Sequence, residues 1–242
     1  MAFIIAEKLK KTYGVGEASV DAVHSMSFSI QEGEFIAIMG ESGSGKSTLL
    51  SIMGAMNTPS SGTYSVDGID VYSLDSDQRA DFRREYIGFI FQSFHLIPYL
   101  SLLENVQLPL VTLNLNRKEK IRMALDALEK VGLADKAARL PNQISGGEQE
   151  RTAIARAIVN DPPILLADEP TGNLDSHTAI EIMAEMQKLN ASNITIIMVT
   201  HNKEYARYGS RTLLVSDGTL RTRTTPGDTG DVGTIISGLP KG

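Results

Sequence analysis

The run Gly40-Glu41-Ser42-Gly43-Ser44-Gly45-Lys46-Ser47-Thr48 decides how the rest of the chain is read. It fits the pattern G-x-x-x-x-G-K-[ST], and each residue type in it has a physical reason. Glycines permit backbone conformations in which successive N–H groups converge on one point. Such a concavity holds phosphate oxygens, and a helix that begins directly after it adds the positive end of its dipole. Lys46 is placed to reach the outer phosphates, and the Ser47 hydroxyl suits a Mg2+ ion. Without ordered neighbours, the same string would be only a flexible Gly/Ser turn.

The neighbours supply the order. Glu34-Phe35-Ile36-Ala37-Ile38-Met39 is a short apolar run between Gly33 and Gly40, the pattern of a buried strand. Leu49, Leu50, Ile52 and Met53 predict a helix that starts near Lys46. Further out, residues 3–39 read as strands, and Ile87-Gly88-Phe89-Ile90-Phe91 as another. Asp67-Gly68 and Asp217-Gly218 carry hairpin signals. Ile121, Ala124, Leu125, Leu128 and Val131 predict a helix over 117–131, and a second runs from Gly146 to Val159. Ile164–Ala167 and Thr195–Thr200 are strongly apolar strands with a helix around Ala179–Leu189 between them. Strands alternating with helices predict an α/β fold on a mostly parallel sheet. From Thr222 onward, Thr, Gly and Asp dominate, so 222–242 reads as a poorly ordered tail.

Composition narrows the function. With 242 residues, the chain makes one domain, or one domain with a lobe. Hydrophobic residues at 42% and charged residues at 21% fit a globular protein. A net charge of −6 argues against nucleic acid as a partner, because that needs a basic surface. The absence of cysteine excludes disulfides and thiolate metal sites. Met1-Ala2-Phe3-Ile4-Ile5-Ala6 precedes Lys8, Lys10 and Lys11, the reverse of a secretory signal. No run approaches the roughly 18 apolar residues of a membrane helix, so any spanning part is expected on another chain.

Asp168 and Glu169 end the apolar run Ile164-Leu165-Leu166-Ala167. Alone, the pair reads as two solvated acids entering a turn before Pro170. Beside a phosphate loop, Asp168 becomes a candidate Mg2+ holder, directly or through a water. Glu169 becomes a candidate general base on the attacking water. Loop and acids together define a P-loop NTPase.

Ile144-Ser145-Gly146-Gly147-Glu148-Gln149 opens the helix of 146–159. Ser145 with Glu148 three residues on is a capping box, which is also its plain structural reading. Two glycines in a first turn cost helix stability, however, and suggest close approach to the backbone. The Ser-Gly-Gly string resembles the signature motif of ABC ATPases, and that family's other motifs follow in order. Tyr13 resembles the aromatic that stacks on adenine, Gln92 the Q-loop glutamine, Asn173-Leu174-Asp175 the D-loop and His201 the switch histidine. The resemblance covers about residues 3–220.

The resemblance implies an ABC ATPase domain over 1–221, with an antiparallel β subdomain and a helical subdomain at about 93–160. It implies ATP and Mg2+ as ligands and an ATP-dependent homodimer. Tyr13, the loop Gly40, Ser42, Gly43, Ser44, Gly45, Lys46, Ser47 and Thr48, and the turn Ser145, Gly146, Gly147 and Glu148 would bind nucleotide. Glu169, His201 and Gln92 would be catalytic, and Ser47, Gln92 and Asp168 would hold the metal. The turn at 145–148 would serve the partner's nucleotide. The family's commonest signature has Gln where this chain has Glu148, so its carboxylate is expected to turn back into the cap. Glu at this position resembles a subgroup of lipoprotein-release, macrolide-export and cell-division ATPases. Phe91–Pro98 and Leu103–Leu110 resemble the same subgroup. The expected partner is a membrane permease, with the ATPase on the inner face of the plasma membrane. Export or lipid extraction is the first reading, and force transmission in cell division or envelope signalling is the alternative. Phe94–Leu110 is either core or an interaction surface.

Overall fold

The computed structural model describes residues 2–224. Strands β1 (Ile4–Tyr13), β2 (Val20–Ile30), β4 (Ser61–Val66) and β5 (Ile69–Asp70) form an antiparallel sheet in the order β2-β1-β4-β5. A second sheet of six strands contains β3 (Phe35–Met39), β6 (Ile87–Ile90), β7 (Ile164–Asp168), β8 (Thr195–Val199), β9 (Arg211–Ser216) and β10 (Thr219–Thr224). Its order is β10-β9-β3-β8-β7-β6, parallel throughout except for the hairpin strand β10. The expected α/β architecture, with a mostly parallel core sheet and an antiparallel lobe, is what the chain adopts.

Side-chain alternation explains why the central strands are apolar without interruption. Ile36 and Ile38 of β3, Ile164 and Leu166 of β7, and Ile197 and Val199 of β8 face one core. That core also contains helix α1 (Lys46–Met53) and the inner face of the antiparallel sheet. Phe35, Ala37, Leu165, Ala167, Ile196 and Met198 face a second core on the other side. A strand buried on both faces has no position at which a polar residue is cheap. The second core takes in helices α3 (Leu102–Gln107), α4 (Arg117–Lys130), α5 (Gly146–Ile158) and α6 (Ser176–Ala191). Helix α2 (Ser76–Tyr86), which no sequence signal above singled out, lies against β6 and buries only Phe82 from its own residues. Its composition explains why it was missed, because a run so rich in charge carries little apolar periodicity. A short helix, α7 (Lys203–Ala206), precedes β9.

One boundary moves. Thr222, Arg223 and Thr224, assigned above to the tail, pair with Leu214, Leu213 and Thr212 of β9. The Asp217-Gly218 turn carries the chain straight back along the sheet edge, so the strand continues past the composition change. Residues 225–242 lie outside the described residues.

The parallel strands all end at one edge of the sheet. Gly40 follows β3, Phe91-Gln92 follow β6, Glu169 follows β7, and Thr200-His201 follow β8. The carboxyl edge of an open α/β sheet is where ligands are held, and here it gathers most of the candidate residues.

Candidate functional site

The phosphate loop is shaped by two kinds of glycine. Gly43 and Gly45 take positive φ, at 78° and 100°, which favours glycine. Gly40 needs space instead, because a Cβ there would lie 2.1 Å from the Val215 carbonyl oxygen of β9. Gly45 is crowded as well, 2.1 Å from the Ala22 carbonyl oxygen of β2 on the same construction. The loop is thus clamped between the two sheets, and the Gly218 N–H donates to the Ser44 carbonyl at 3.0 Å. Lys46 is buried and folds back on the loop, its Nζ donating to the carbonyls of Gly40 at 2.9 Å and Glu41 at 2.7 Å. Ser44 Oγ is buried in the loop without a hydrogen-bond partner.

The acids meet this loop. Asp168 shares a hydrogen bond with the Ser47 hydroxyl. Burial raises the Asp168 pKa above the ordinary carboxylate value, and Glu169 pushes the same way, while Ser47 and Lys46 partly offset them. Glu169 leaves the strand with φ of +51°, an unusual conformation for a non-glycine residue. Hydrogen bonds hold it there on both sides. Its N–H donates to the Val199 carbonyl at 2.9 Å, and its carbonyl accepts from the Gly172 N–H at 2.9 Å. The turn aims the carboxylate at His201, with Oε2 and Nδ1 2.5 Å apart. Residues 32 positions apart in sequence are thereby paired at the ends of neighbouring strands.

Gln92 follows β6 at the start of an irregular segment pinned from two directions, and its amide nitrogen and the Glu169 carbonyl oxygen both crowd Gly172, each 3.2 Å from where a Cβ would sit. Asn173 Nδ2 donates to the Gln92 carbonyl at 2.7 Å. Arg156 of α5 donates from Nη1 to the His95 carbonyl at 2.6 Å and from Nη2 to the Phe94 carbonyl at 2.7 Å. His95 is held at φ of +48°. Just beyond, the buried Asn105 donates to the carbonyls of Ile97, Leu100 and Ser101 and accepts from the Ile97 N–H. Sequence reasoning missed Arg156 and Asn105. The usable signal was a strongly polar side chain inside an otherwise apolar helical stretch, which is seldom tolerated unless it has partners. The Phe94–Leu110 ambiguity resolves by position. Leu102, Val106 and Leu110 are core, whereas Tyr99 and Pro98 are exposed.

The remaining candidates stand apart. Ser145 is the exposed N-cap of α5, and its hydroxyl accepts from the Glu148 N–H at 3.3 Å. Among the described residues, no hydrogen bond or ion pair joins the 145–148 turn to the phosphate loop, Asp168, Glu169 or His201. Gly146 is nearly open, but Gly147 is buried against α6, where a Cβ would sit 2.3 Å from Thr178 Cγ2. One of the two glycines therefore serves packing within the chain. Glu148, a nucleotide-binding candidate, has both carboxylate oxygens engaged within its own chain. Its Oε2 accepts from the Ser145 N–H at 2.8 Å and from the Ser145 hydroxyl at 2.9 Å, and its Oε1 meets Lys136 Nζ. Its carboxylate belongs to the cap, as the capping-box reading expected. Tyr13 is 44% exposed, with its ring under Lys11 Nζ and its hydroxyl accepting from Asn57 Nδ2 at 2.5 Å.

A triphosphate fits the loop. It presents a lysine ammonium satisfied only by loop carbonyls, an unpartnered buried hydroxyl, and glycines that leave the backbone bare. A Mg2+ ion fits the Ser47–Asp168 pair, a hard-oxygen donor set that phosphate oxygens would complete.

The family described as ABC transporter matches residues 23–172. This chain belongs to the ABC transporter ATP-binding family. A Bacillus subtilis relative, named uncharacterized ABC transporter ATP-binding protein YknY, is 46% identical over 212 residues, covering 88% of this chain and 92% of that one. Macrolide export ATP-binding/permease protein MacB 1 of Yersinia pestis is 44% identical over 219 residues. This match covers 90% of the present chain and 34% of MacB, so the ABC ATPase corresponds to about a third of that protein. Among solved structures, the dimeric post-hydrolysis state of the ATP-binding cassette MJ0796 bound to ADP and Pi superimposes with a TM-score of 0.84. It is 43% identical, and the match covers 92% of this chain and 98% of that one. The protein binds ATP and is an ATPase.

Proposed function

We propose that this ABC ATPase closes as a homodimer around two MgATP and drives a separate membrane-spanning permease, in export or in extraction of a lipid or lipoprotein. The observation that carries the reading is the position of Ser145. It caps α5 in the open, with no bond to the phosphate loop of its own chain. A helix N-terminus presented outward suits the γ-phosphate of a nucleotide held by a second copy. The MJ0796 cassette, dimeric and bound to ADP and Pi, supports a nucleotide-linked dimer.

In this reading the loop 40–48 cradles the phosphates, Lys46 leaves its carbonyl partners for them, and Tyr13 stacks on adenine. Ser47, Asp168 and Gln92 hold the Mg2+, which when bound neutralises developing charge on the outer phosphate oxygens. Glu169 takes a proton from the water that attacks the γ-phosphorus, as the bond to the bridging oxygen of ADP breaks. His201 orients Glu169 through its 2.5 Å contact and lies where it can face the γ-phosphate. Loss of the γ-phosphate removes the charge holding the two copies together, a ligand-driven shift in population.

The permease reading rests on the resemblance to MacB, whose name joins ATP-binding and permease parts, and on the surface beside Gln92. There a hollow of about 440 Å³ is lined by Phe94, Leu96, Pro98, Pro141, Gln149 and Asn173 among others. Among the described residues no helix is long and apolar enough to cross a membrane. On the permease reading, the ATPase works at the inner face of the plasma membrane, through its partner.

Glu169→Gln is the test. It should bind ATP, lose turnover by roughly a hundredfold or more, and elute as a dimer in gel filtration with ATP. A variant that stays monomeric and hydrolyses at the parental rate would refute the assignment. Affinity capture from solubilised membranes, read by mass spectrometry, should return an integral membrane protein.

A further inference from the structure

Glu148 presents a problem that the composite site must solve. An anionic carboxylate one turn into the signature helix lies close to where a partner's triphosphate would meet Ser145. Like charges at that distance oppose binding, and the helix end that should attract phosphate would be partly cancelled. The chain answers with Lys136. This residue ends a single 3-10 turn, Ala134–Lys136, between α4 and α5, and its Nζ reaches Glu148 Oε1 directly. Glu148 Oε2 is left for the Ser145 N–H and hydroxyl, so Ser145, Glu148 and Lys136 form one chain of charge-assisted hydrogen bonds.

We propose that Lys136 is a positioning residue of the ATPase reaction, neutralising Glu148 and fixing it in the cap so that Ser145 and the start of α5 face the partner's γ-phosphate. The inference rests on the composite-site reading and extends it to a residue outside every motif named above. Three observations carry it. The Glu148 side chain, 16% exposed, is bonded to the Ser145 hydroxyl, so its charge sits beside the group that would meet the phosphate. No other cation contacts it: among the described residues, the one ion pair made by Glu148 is with Lys136. Lys136 and then Ser145 hold the Glu148 pKa down to about 2, as expected of a carboxylate paired with a cation.

The role predicts coupling, not mere stability. Lys136→Met should raise the KM for ATP roughly tenfold while lowering kcat less, because it weakens the encounter of the two copies with nucleotide. Lys136→Arg should restore the parental KM, and Lys136→Glu should be worse than Met. In a Glu148→Gln background, the same Lys136→Met change should move KM by less than about twofold, since there is no charge left to neutralise. ATP-dependent dimerisation, followed by gel filtration in the Glu169→Gln background, should show the same pattern. Equal effects of Lys136→Met in the parental chain and in the Glu148→Gln background would overturn the inference, as would a parental KM for Lys136→Met. Ser145→Ala separates the two layers of the reading. If it impairs turnover while the Lys136 effect is independent of residue 148, only the inference falls. If Ser145→Ala leaves both dimerisation and turnover at parental values, the composite site falls and the inference with it.

Discussion

Glu150 is the residue at which chemistry and packing conflict most openly. It is completely buried in α5, and neither carboxylate oxygen has a hydrogen-bond partner. Burial pushes its pKa from the ordinary 4.5 up to about 8, only partly offset by Arg156. The folded protein therefore keeps a proton that the unfolded chain gives up. The stabilising contribution is complete below about pH 4.5 and is lost progressively as pH rises towards 8. By linkage the loss between pH 4.5 and 7 is on the order of 3 kcal/mol. Glu150→Gln, which keeps the shape and removes the titration, should raise Tm at pH 8 by several degrees and give a smaller gain at pH 6. Differential scanning calorimetry at the two values checks this, and an unchanged Tm at pH 8 contradicts it. No motif pointed to this residue. A glutamate one turn into a helix reads as solvated, and only the packing of α5 shows otherwise.

At the scale of elements, α5 is the piece on which several functions converge. Its first turn carries Ser145, its middle carries Glu150, and Arg156 near its end grips the segment after Gln92. Its seat on β6 depends on Gly88, where a Cβ would lie 2.4 Å from the Ala157 carbonyl oxygen. Gly88→Ala should cost about 2–3 kcal/mol, since the obstacle is backbone and cannot rotate aside. Chemical denaturation should show a lower midpoint with an unchanged slope. Arg156→Met should leave overall stability less affected but release the Phe94 and His95 carbonyls. Amide exchange would then speed up in 93–98, and parental exchange there would contradict the clamp. The start of α6 is tied in as well. Asp175 caps it by accepting from the N–H groups of His177 and Thr178 at 3.0 Å, and it also accepts from the hydroxyl of Thr178, whose methyl group Gly147 abuts. Asp175 thus has a structural task within its own chain.

For the whole molecule, stability is tied to ligand and to copy number. A phosphate loop clamped between two sheets means that bound nucleotide stabilises both cores at once. ATP at a hundred times its dissociation constant should add about 2.7 kcal/mol, or roughly 5–10 °C in Tm. Lys46→Ala should abolish that shift, because its ammonium is the only lysine or arginine charge bonded to the loop among the described residues. Thermal melts with and without ATP decide this. The shift should grow with protein concentration if nucleotide also joins two copies.

The sequence by itself determined the central apolar strands, the helices α1, α4, α5 and α6, the phosphate loop, the acid pair and the capped turn at 145–148, while α2, α3 and α7 escaped it. All of these are written in local signals, such as apolar periodicity, glycine and aspartate chemistry at turns, and side chains within four residues of their backbone partners. Tertiary structure alone decided what those parts touch. It put Glu169 at positive φ against His201, Arg156 on carbonyls 61 and 62 residues away, and Lys136 on Glu148. It also showed that Gly40 and Gly88 are glycines because another backbone passes too close. Contacts between distant residues depend on how whole layers stack, and a single sequence carries no local trace of that distance.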